Sequence, residues 1–458
     1  MGDFLSELKA ALGADAVAEG KAAEALAQSR WQRLGRPLAV VRPRSTAEVS
    51  TILRLAHAAG QPVTAWGGRT GLVEGAQADG ALALSLERMD RILEVDPAGG
   101  TMTVEAGCIL QSACEAAEAK GCQFPLDLGA RGSATIGGNI ATNAGGNRVI
   151  RFGMMRDMVL GLEAVLADGT VVSSMNRLIK NNAGYDLKQL FIGTEGTLGV
   201  VTRAVLRLRA LPASQDTAFL AVDAFEKLPR LLRRLEQGLG GALSAFEVLW
   251  ADFYQLVTSA PATNRPVLPW GHPYYVLTES LGGDREADAE RFLRVLTEAL
   301  ETGEIADAAI AKSQAERDEM WALRDDVGQT SRHRPIYTFD VSLGIADMEA
   351  YVAAVRASLA ERWPAFTLMV FGHLGDGNLH LIAGVGAGGP EVRRAVEERI
   401  YRPLAAIGGS ISAEHGVGLQ KRDFLALSRS AEEIALMRTL KRALDPRGIL
   451  NPGKIFEA

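Results

Sequence analysis

PLDLGARGSATIGGNIATNAGG, residues 125–146, places six glycines (Gly129, Gly132, Gly137, Gly138, Gly145 and Gly146) among small polar residues. Glycine lets a backbone turn at positive φ and approach a ligand closely. Ser133, Thr135, Asn139, Thr142 and Asn143 add hydroxyl and amide donors, and successive backbone N–H groups can form an anion-binding nest. A flexible linker is the bland alternative, but linkers do not alternate glycine with buried-type residues such as Ile136, Ile140 and Ala141. The stretch therefore reads as the cradle of a large phosphate-bearing cofactor. Two further turns carry the same chemistry. Val63 to Trp66 reads as a strand that empties into Gly67-Gly68-Arg69-Thr70-Gly71, and Gly193 to Gly199 feeds a strand over Val200 to Leu208. The first two turns, about 60 residues apart, could hold two ends of one extended ligand.

The whole chain sets bounds on this reading. At 458 residues it is long enough for two or three domains. Its 47% hydrophobic and 23% charged residues are ordinary for a globular protein. A net charge of −6 without a long basic run argues against a nucleic-acid partner. No uncharged apolar run is long enough for a membrane span. The N-terminal residues lack a basic n-region and read as an amphipathic helix, with Asp3 and Glu7, rather than a targeting peptide. Gly2 and Ser6 match the myristoylation pattern, which chance often produces. Cys108, Cys114 and Cys122 have no C-x-x-C spacing, so reduced buried thiols and a cytoplasmic location are expected.

In order, residues 1–35 form a helical lead, 36–212 a first domain, 213–415 a second, and 416–458 a segment packing back on the first. Ser45 with Glu48 and Ser430 with Glu433 are capping boxes that open helices. A helix over about 109–120 is closed by Gly121, and Asp168-Gly169 marks a hairpin. Residues 384–389 match G-x-G-x-x-G, yet no acidic residue closes a second strand, so they read as a plain loop.

The chemistry lies in FGHLGDGNLH, residues 371–380. Asp376-Gly377 signals a two-residue type I′ turn. That register would set His373 opposite His380, with Cβ atoms about 4.5–5.5 Å apart on one face. Two such imidazoles can share a metal or stand as a structural pair. A carboxylate from Glu414, in Ser412-Ala413-Glu414-His415-Gly416, would complete a two-histidine, one-carboxylate set.

The motifs GGRTGL, PLDLGARGSATIGGNIATNAGG, KNNAGYDLKQLFIGTEGTLGVVT, GHLGDGNLH, ISAEHGVG and NPGKIF occur in that order. With them the chain resembles the FAD-dependent D-2-hydroxyglutarate dehydrogenase family, within the vanillyl-alcohol-oxidase-like flavoproteins. The resemblance implies an α+β architecture: a two-lobed PCMH-type FAD-binding domain, an α+β cap domain, and a C-terminal segment returning to the flavin. It assigns Gly67, Gly68, Arg69, Thr70, Gly71, Leu72, Ser133, Gly137, Gly138, Asn139, Thr142 and Asn143 to the pyrophosphate and ribityl chain. Glu195, Gly199 and Val200 would line the adenine side, and Asn451 would reach the flavin from the tail. His373, His380 and Glu414 would hold zinc or manganese, His415 would be the general base, and Arg324 would hold a substrate carboxylate. The chain departs from the family at Thr338, Gly328 and Ile382, where a lysine, a threonine and an asparagine are expected. Ile382, two residues from His380, is expected on the pocket wall, and Arg332 or Arg334 could compensate.

The resulting expectation is oxidation of a small D-2-hydroxy acid to the 2-oxo acid, with D-lactate or glycolate as alternative substrates. Electrons would pass to an acceptor such as an electron-transfer flavoprotein or the quinone pool, and a homodimer is one assembly to be tested. A metal hydrolase or non-haem iron oxygenase on the same ligands, and a flavin-binding subunit without activity, are the competing classes. No histidine stands in the first glycine turn or its near flank, so FAD should be bound without a covalent link. Acid precipitation is expected to release the yellow chromophore into the supernatant; colour retained on the pellet would refute noncovalent binding.

Overall fold

The structure, a computed structural model, describes residues 2–457. The chain divides into two compact units, residues 1–145, 153–211 and 414–458 in the first and residues 146–152 and 212–413 in the second.

The first unit opens with α1 (Gly2–Leu12), β1 (Val17–Glu19) and α2 (Gly20–Leu26). β2 (Ala39–Val41), α3 (Thr46–Ala59), β3 (Val63–Trp66) and β4 (Leu82–Ser85) follow. Ser45 Oγ accepts the Glu48 amide at 3.2 Å to start α3, and Gly60 ends it at φ 65°. Its buried residues Val49, Ile52, Leu53 and Ala56 fall on one face at helical spacing. The strands assemble in the order β1-β2-β4-β3, with β1 antiparallel and the others parallel. The lead is thus helical over α1 and α2 only: β1 pairs with β2, and residues 27–35 hold no helix.

A second sheet is antiparallel throughout. β5 (Ile92–Asp96), β6 (Thr101–Glu105), β8 (Val159–Val165), β9 (Val171–Ser174) and β10 (Val200–Arg207) take the order β5-β6-β10-β8-β9. Between β6 and β8 lie α4 (Leu110–Glu118), β7 (Cys122–Gln123), α5 (Ile136–Thr142) and the single turns α6 (Val149–Phe152) and α7 (Met155–Met158). β7 pairs with β11 (Arg209–Ala210). All three cysteines are buried and free, and burial pushes the Cys108 and Cys114 thiols up to about 12 and 11. Such thiols stay protonated and unreactive.

The second unit is one seven-stranded antiparallel sheet with helices on both faces. In chain order it comprises β12 (Ser214–Val222), α8 (Lys227–Gly238), β13 (Leu243–Trp250), α9 (Ala251–Thr258), β14 (Tyr274–Gly282), α10 (Arg285–Glu301) and β15 (Asp307–Ile310). α11 (Gln314–Asp325), β16 (Ile336–Ser342), α12 (Met348–Arg362), β17 (Thr367–Gly372), β18 (Asn378–Gly384) and α13 (Pro390–Ala406) complete it. The strand order is β15-β12-β14-β13-β17-β18-β16. One face presents Phe219, Leu249, Tyr275, Leu277, Phe371 and Ile382 to Phe253, Tyr254 and Val257 of α9 and to Met320 and Leu323 of α11. Phe253 stacks on Phe371 with ring centroids 4.2 Å apart. Each such side chain contributes about 1.5–3 kcal/mol of burial. On the other face Phe339 meets Tyr401 of α13 edge-on at 5.3 Å. Residues 146–152 join this unit through arginines: Arg151 donates to the Ala242 carbonyl at 3.0 Å, and Arg148 Nε to Glu279 Oε1 at 3.1 Å.

The chain then returns to the first unit, ending in α14 (Ala431–Leu444). Its capping box is complete: the Glu433 amide donates to Ser430 Oγ at 3.2 Å and the Ser430 amide to Glu433 Oε2 at 2.8 Å. Lys441, buried, donates to the Thr197 and Leu450 carbonyls at 2.8 and 2.7 Å and to Asp445 Oδ2 at 2.5 Å. One ammonium so fixes the tail after the helix to the third glycine-rich turn.

Candidate functional site

In the first unit the glycine-rich segments meet backbone to backbone. A Cβ on Gly68 would stand 2.1 Å from the Ser133 carbonyl oxygen, and one on Gly67 2.5 Å from Thr135 Oγ1. One on Gly137 would stand 2.6 Å from the Ala106 Cβ. Only glycine allows this approach. The stretch 125–146 is not loop throughout, because Thr135 Oγ1 accepts the Gly138 amide at 3.3 Å and starts α5. The third turn docks on α5, with the Gly193 and Glu195 amides donating to the Ile140 and Ala141 carbonyls at 3.0 and 2.8 Å. Asn139, on α5, has its Nδ2 buried with no hydrogen-bond partner among the described residues. A buried donor left unpaired costs about 1–3 kcal/mol, so this amide is suited to a ligand acceptor. The glycine approach and the Asn139 amide are the fit expected of an FAD cradle.

Four of the expected cofactor residues hold left-handed backbone: Arg69 at φ 57°, Asn143 at 48°, Glu195 at 52° and Asn451 at 41°. Non-glycine residues rarely adopt this conformation outside over-determined sites. Arg69 turns its guanidinium to the Leu26 carbonyl at 3.0 Å. Thr142 Oγ1 donates to the Gly138 carbonyl at 3.1 Å. The Glu195 carboxylate accepts the Val417 and Gly418 amides at 2.7 and 2.9 Å. Burial pushes that carboxyl up, and the two amides offset this only in part. Asn451 bridges protein segments as well, accepting the Ala65 amide at 3.0 Å and donating to the Glu195 carbonyl at 2.5 Å. Both side chains tie the tail to the glycine-rich turns. Ser133 and Leu72 are exposed, Thr70 and Gly71 half-buried, and Gly199 and Val200 buried at the start of β10.

In the second unit the histidine hairpin differs from the expected register. His380 pairs with Phe371, not with His373. The connection is five residues long rather than two, because Leu374–Asp376 forms a 3-10 turn and Gly377 is left-handed at φ 86°. The His373 carbonyl accepts the Asp376 and Asn378 amides at 3.1 and 3.2 Å. The two rings still come together, edge to face with centroids 5.3 Å apart. His373 Nδ1 lies 2.6 Å from Glu247 Oε1, and its Nε2 lies 3.0 Å from Nη2 of Arg324. Arg324, on α11, also donates through Nε to Glu247 Oε2 at 3.0 Å and stacks over Phe371 at 5.5 Å. Asp340, fully buried on β16, pairs with His380 across the strands, their Oδ1 and Nδ1 atoms 3.9 Å apart. The same carboxylate accepts the Asn378 side-chain amide at 2.9 Å and the Ala413 backbone amide at 3.1 Å. Glu414, the residue bonded to Ala413, and His415 belong to the first unit, their Oε1 and Nε2 atoms 3.8 Å apart.

A pattern described as "FAD binding domain" matches residues 37–174, and "FAD linked oxidases, C-terminal domain" matches residues 211–455. The mitochondrial D-2-hydroxyglutarate dehydrogenase of Bos taurus is 41% identical over 430 residues, 93% of this chain and 78% of its own. The D-2-hydroxyglutarate dehydrogenase of Xanthomonas citri pv. viticola is also 41% identical, over 429 residues covering 92% and 89%. The chain belongs to the D-2-hydroxyglutarate dehydrogenase family of FAD-linked oxidases. Its fold is the PCMH-type FAD-binding α+β fold, shared with p-cresol methylhydroxylase at a TM-score of 0.78 and 14% identity, covering 100% and 97% of the two chains. It is a flavoprotein oxidoreductase.

One expectation for the family's substrate residues needs correction, that for Ile382. Ile382 does not wall a pocket: it is 2% exposed and packs within the apolar cluster under α9 and α11. It does share the face of His380, but α9 and α11 cover that stretch of the face. Arg332 is anchored elsewhere, donating to the Ser259 and Ala260 carbonyls at 3.3 and 3.4 Å. Arg334 and Thr338 are exposed. Glu247 and Asp340 were not among the expected site residues, and their only sequence signal is an acid inside an apolar strand, in FEVLW and YTFDVS.

Gly68→Ala should force the Ser133 backbone away, because an added Cβ has no room there. The purified variant is expected to retain much less FAD per chain than wild type, read from flavin and protein absorbance. Full flavin content would show that the close approach is not needed for binding.

Proposed function

We propose that the protein oxidises a D-2-hydroxy acid to the 2-oxo acid, with D-2-hydroxyglutarate as the lead substrate, using FAD and one divalent cation. The observation that supports this best is the Arg324–Glu247–His373 cluster, whose His373 ring meets that of His380. It joins a carboxylate-binding cation to two potential metal ligands. Relatives named for D-2-hydroxyglutarate, at 41% identity, point to the lead substrate. Among the described residues no helix is long and apolar enough to cross a membrane.

Bound FAD would supply the hydride acceptor for C2, and bound zinc or manganese would supply Lewis acidity for the 2-hydroxyl. The chain's own residues do the rest. Arg324 pairs with the C1 carboxylate, its planar fork suited to two parallel hydrogen bonds. His373, His380 and Glu414 would hold the cation, and Asp340 stands beside His380. His415 would accept the hydroxyl proton as the C2–H bond breaks. The electrons leave to an external acceptor, an electron-transfer flavoprotein or a quinone.

Anaerobic mixing with D-lactate, D-malate, D-2-hydroxyglutarate and D-mandelate should bleach the flavin, fastest with D-2-hydroxyglutarate. No bleaching with any of them would overturn the reaction class, and faster bleaching with D-lactate would overturn the lead substrate. Elemental analysis should find about one divalent metal per chain. His380→Ala should lose that metal and the activity while keeping FAD; metal retained at the wild-type level would remove His380 from the ligand set.

A further inference from the structure

Lys441 and Lys454 are both buried in the C-terminal segment, but they differ in their partners. Lys441 has a counter-ion in Asp445, besides two carbonyls. Lys454 is 5% exposed, and among the described residues its ammonium donates to the Gln77 carbonyl at 2.7 Å and forms no ion pair. The two acids that act on it through space are committed elsewhere. Glu195 takes the Val417 and Gly418 amides, and Asp79 takes the Arg36 amide at 2.7 Å and stands 3.7 Å from Arg33. A buried cation without a counter-charge is costly, and an anion arriving from outside the chain would relieve it. Burial accordingly pushes the Lys454 ammonium down to about 8, and Glu195 and Asp79 offset this only in part.

The lysine stands among the glycine-rich turns of the first unit. Its amide donates to the Asn451 carbonyl at 3.3 Å, and the Asn451 side chain ties β3 to Glu195 of the third turn. Gln77 lies in the loop that leaves the first glycine turn, and the Leu419 amide donates to the Val73 carbonyl of that loop at 3.0 Å. Ile455, the next residue, is left-handed at φ 69°, an outlier for a β-branched side chain. Such backbone persists where its surroundings over-determine a site. We propose that Lys454 is the counter-cation of an anionic group of bound FAD. FAD offers two, its diphosphate and the N1–C2=O edge of the reduced flavin, where nearby charge tunes the cofactor. The inference rests on the FAD of the proposed function and on neither its substrate nor its cation. A structural lysine held by Gln77 alone is the competing account.

The test uses the full-length, FAD-loaded protein. Lys454→Gln keeps a donor for the Gln77 carbonyl and removes the charge, whereas Lys454→Arg keeps the charge. With the diphosphate as partner, Lys454→Gln should hold FAD about 10–100-fold more weakly, read from the fluorescence of flavin released on dilution. With the flavin edge as partner, the midpoint potential should fall while affinity stays. Either loss supports the proposal when Lys454→Arg restores most of it. Wild-type affinity and potential in Lys454→Gln would overturn the proposal. An equal loss in Lys454→Arg, the mark of a packing role, would overturn it too. Lys454→Met replaces Lys454→Gln if that variant does not fold. Failure of both to fold would assign the lysine to the fold and also overturn the proposal. Wild type that takes up no FAD would overturn the proposed function and this inference with it, whereas the variants, read against flavin-loaded wild type, decide on Lys454 alone.

Discussion

Taking a carboxylate out of water costs several kcal/mol unless donors meet it, and four of the buried glutamates show how the two units meet that demand. In the first, Glu163 takes the hydroxyls of Thr46 and Thr202 at 2.5 and 2.9 Å, while Glu195 takes the amides of Val417 and Gly418. In the second, Glu247 takes His373 and Arg324, and Glu279 takes Arg148, Ser244, Gln215 and Trp321. Almost every donor comes from a part of the chain far from its acceptor in sequence. Each acid therefore fixes the approach of segments that local propensity would leave unspecified. The residues so fixed include those expected to do the chemistry.

Local features were legible where local chemistry determines them. Ser430 and Glu433 specify a helix start by their own side chains, and Asp168-Gly169 specifies a hairpin by backbone preference. The three glycine-rich turns were legible because close approach excludes every other residue. The register of the histidine hairpin was not. Asp376-Gly377 fits a two-residue turn equally well, and the 3-10 turn at Leu374–Asp376 wins through the His373 carbonyl, which gathers two amides. Nor could sequence place residues 146–152, whose membership of the second unit depends on Arg148 and Arg151 finding Glu279 and the Ala242 carbonyl. Periodicity put Ile382 on the correct face, but which part of that face α9 and α11 cover is a tertiary property.

The same distinction bears on specificity. A residue on the right strand face contributes to selection only if it is left uncovered, and Ile382 is not. Loss of the family's polar residue there is thus a change of core packing, with Phe371 and Met369 as neighbours. Discrimination between hydroxy acids falls to groups that keep polar atoms on the ligand side.

The first unit is discontinuous, and its last pieces come late. β3 gains its outer neighbour only when Leu450 bridges to Val63 and the Asn451 side chain meets the Ala65 amide. During synthesis from the N-terminus, all of residues 212–413 leave the ribosome before that neighbour exists. The sheet unit can close on contacts it already possesses, whereas the glycine-rich cradle waits for residues 450 and 451. Nascent chains stalled short of residue 450 therefore hold the glycine turns without the Asn451 side chain that ties the Ala65 amide to the Glu195 carbonyl.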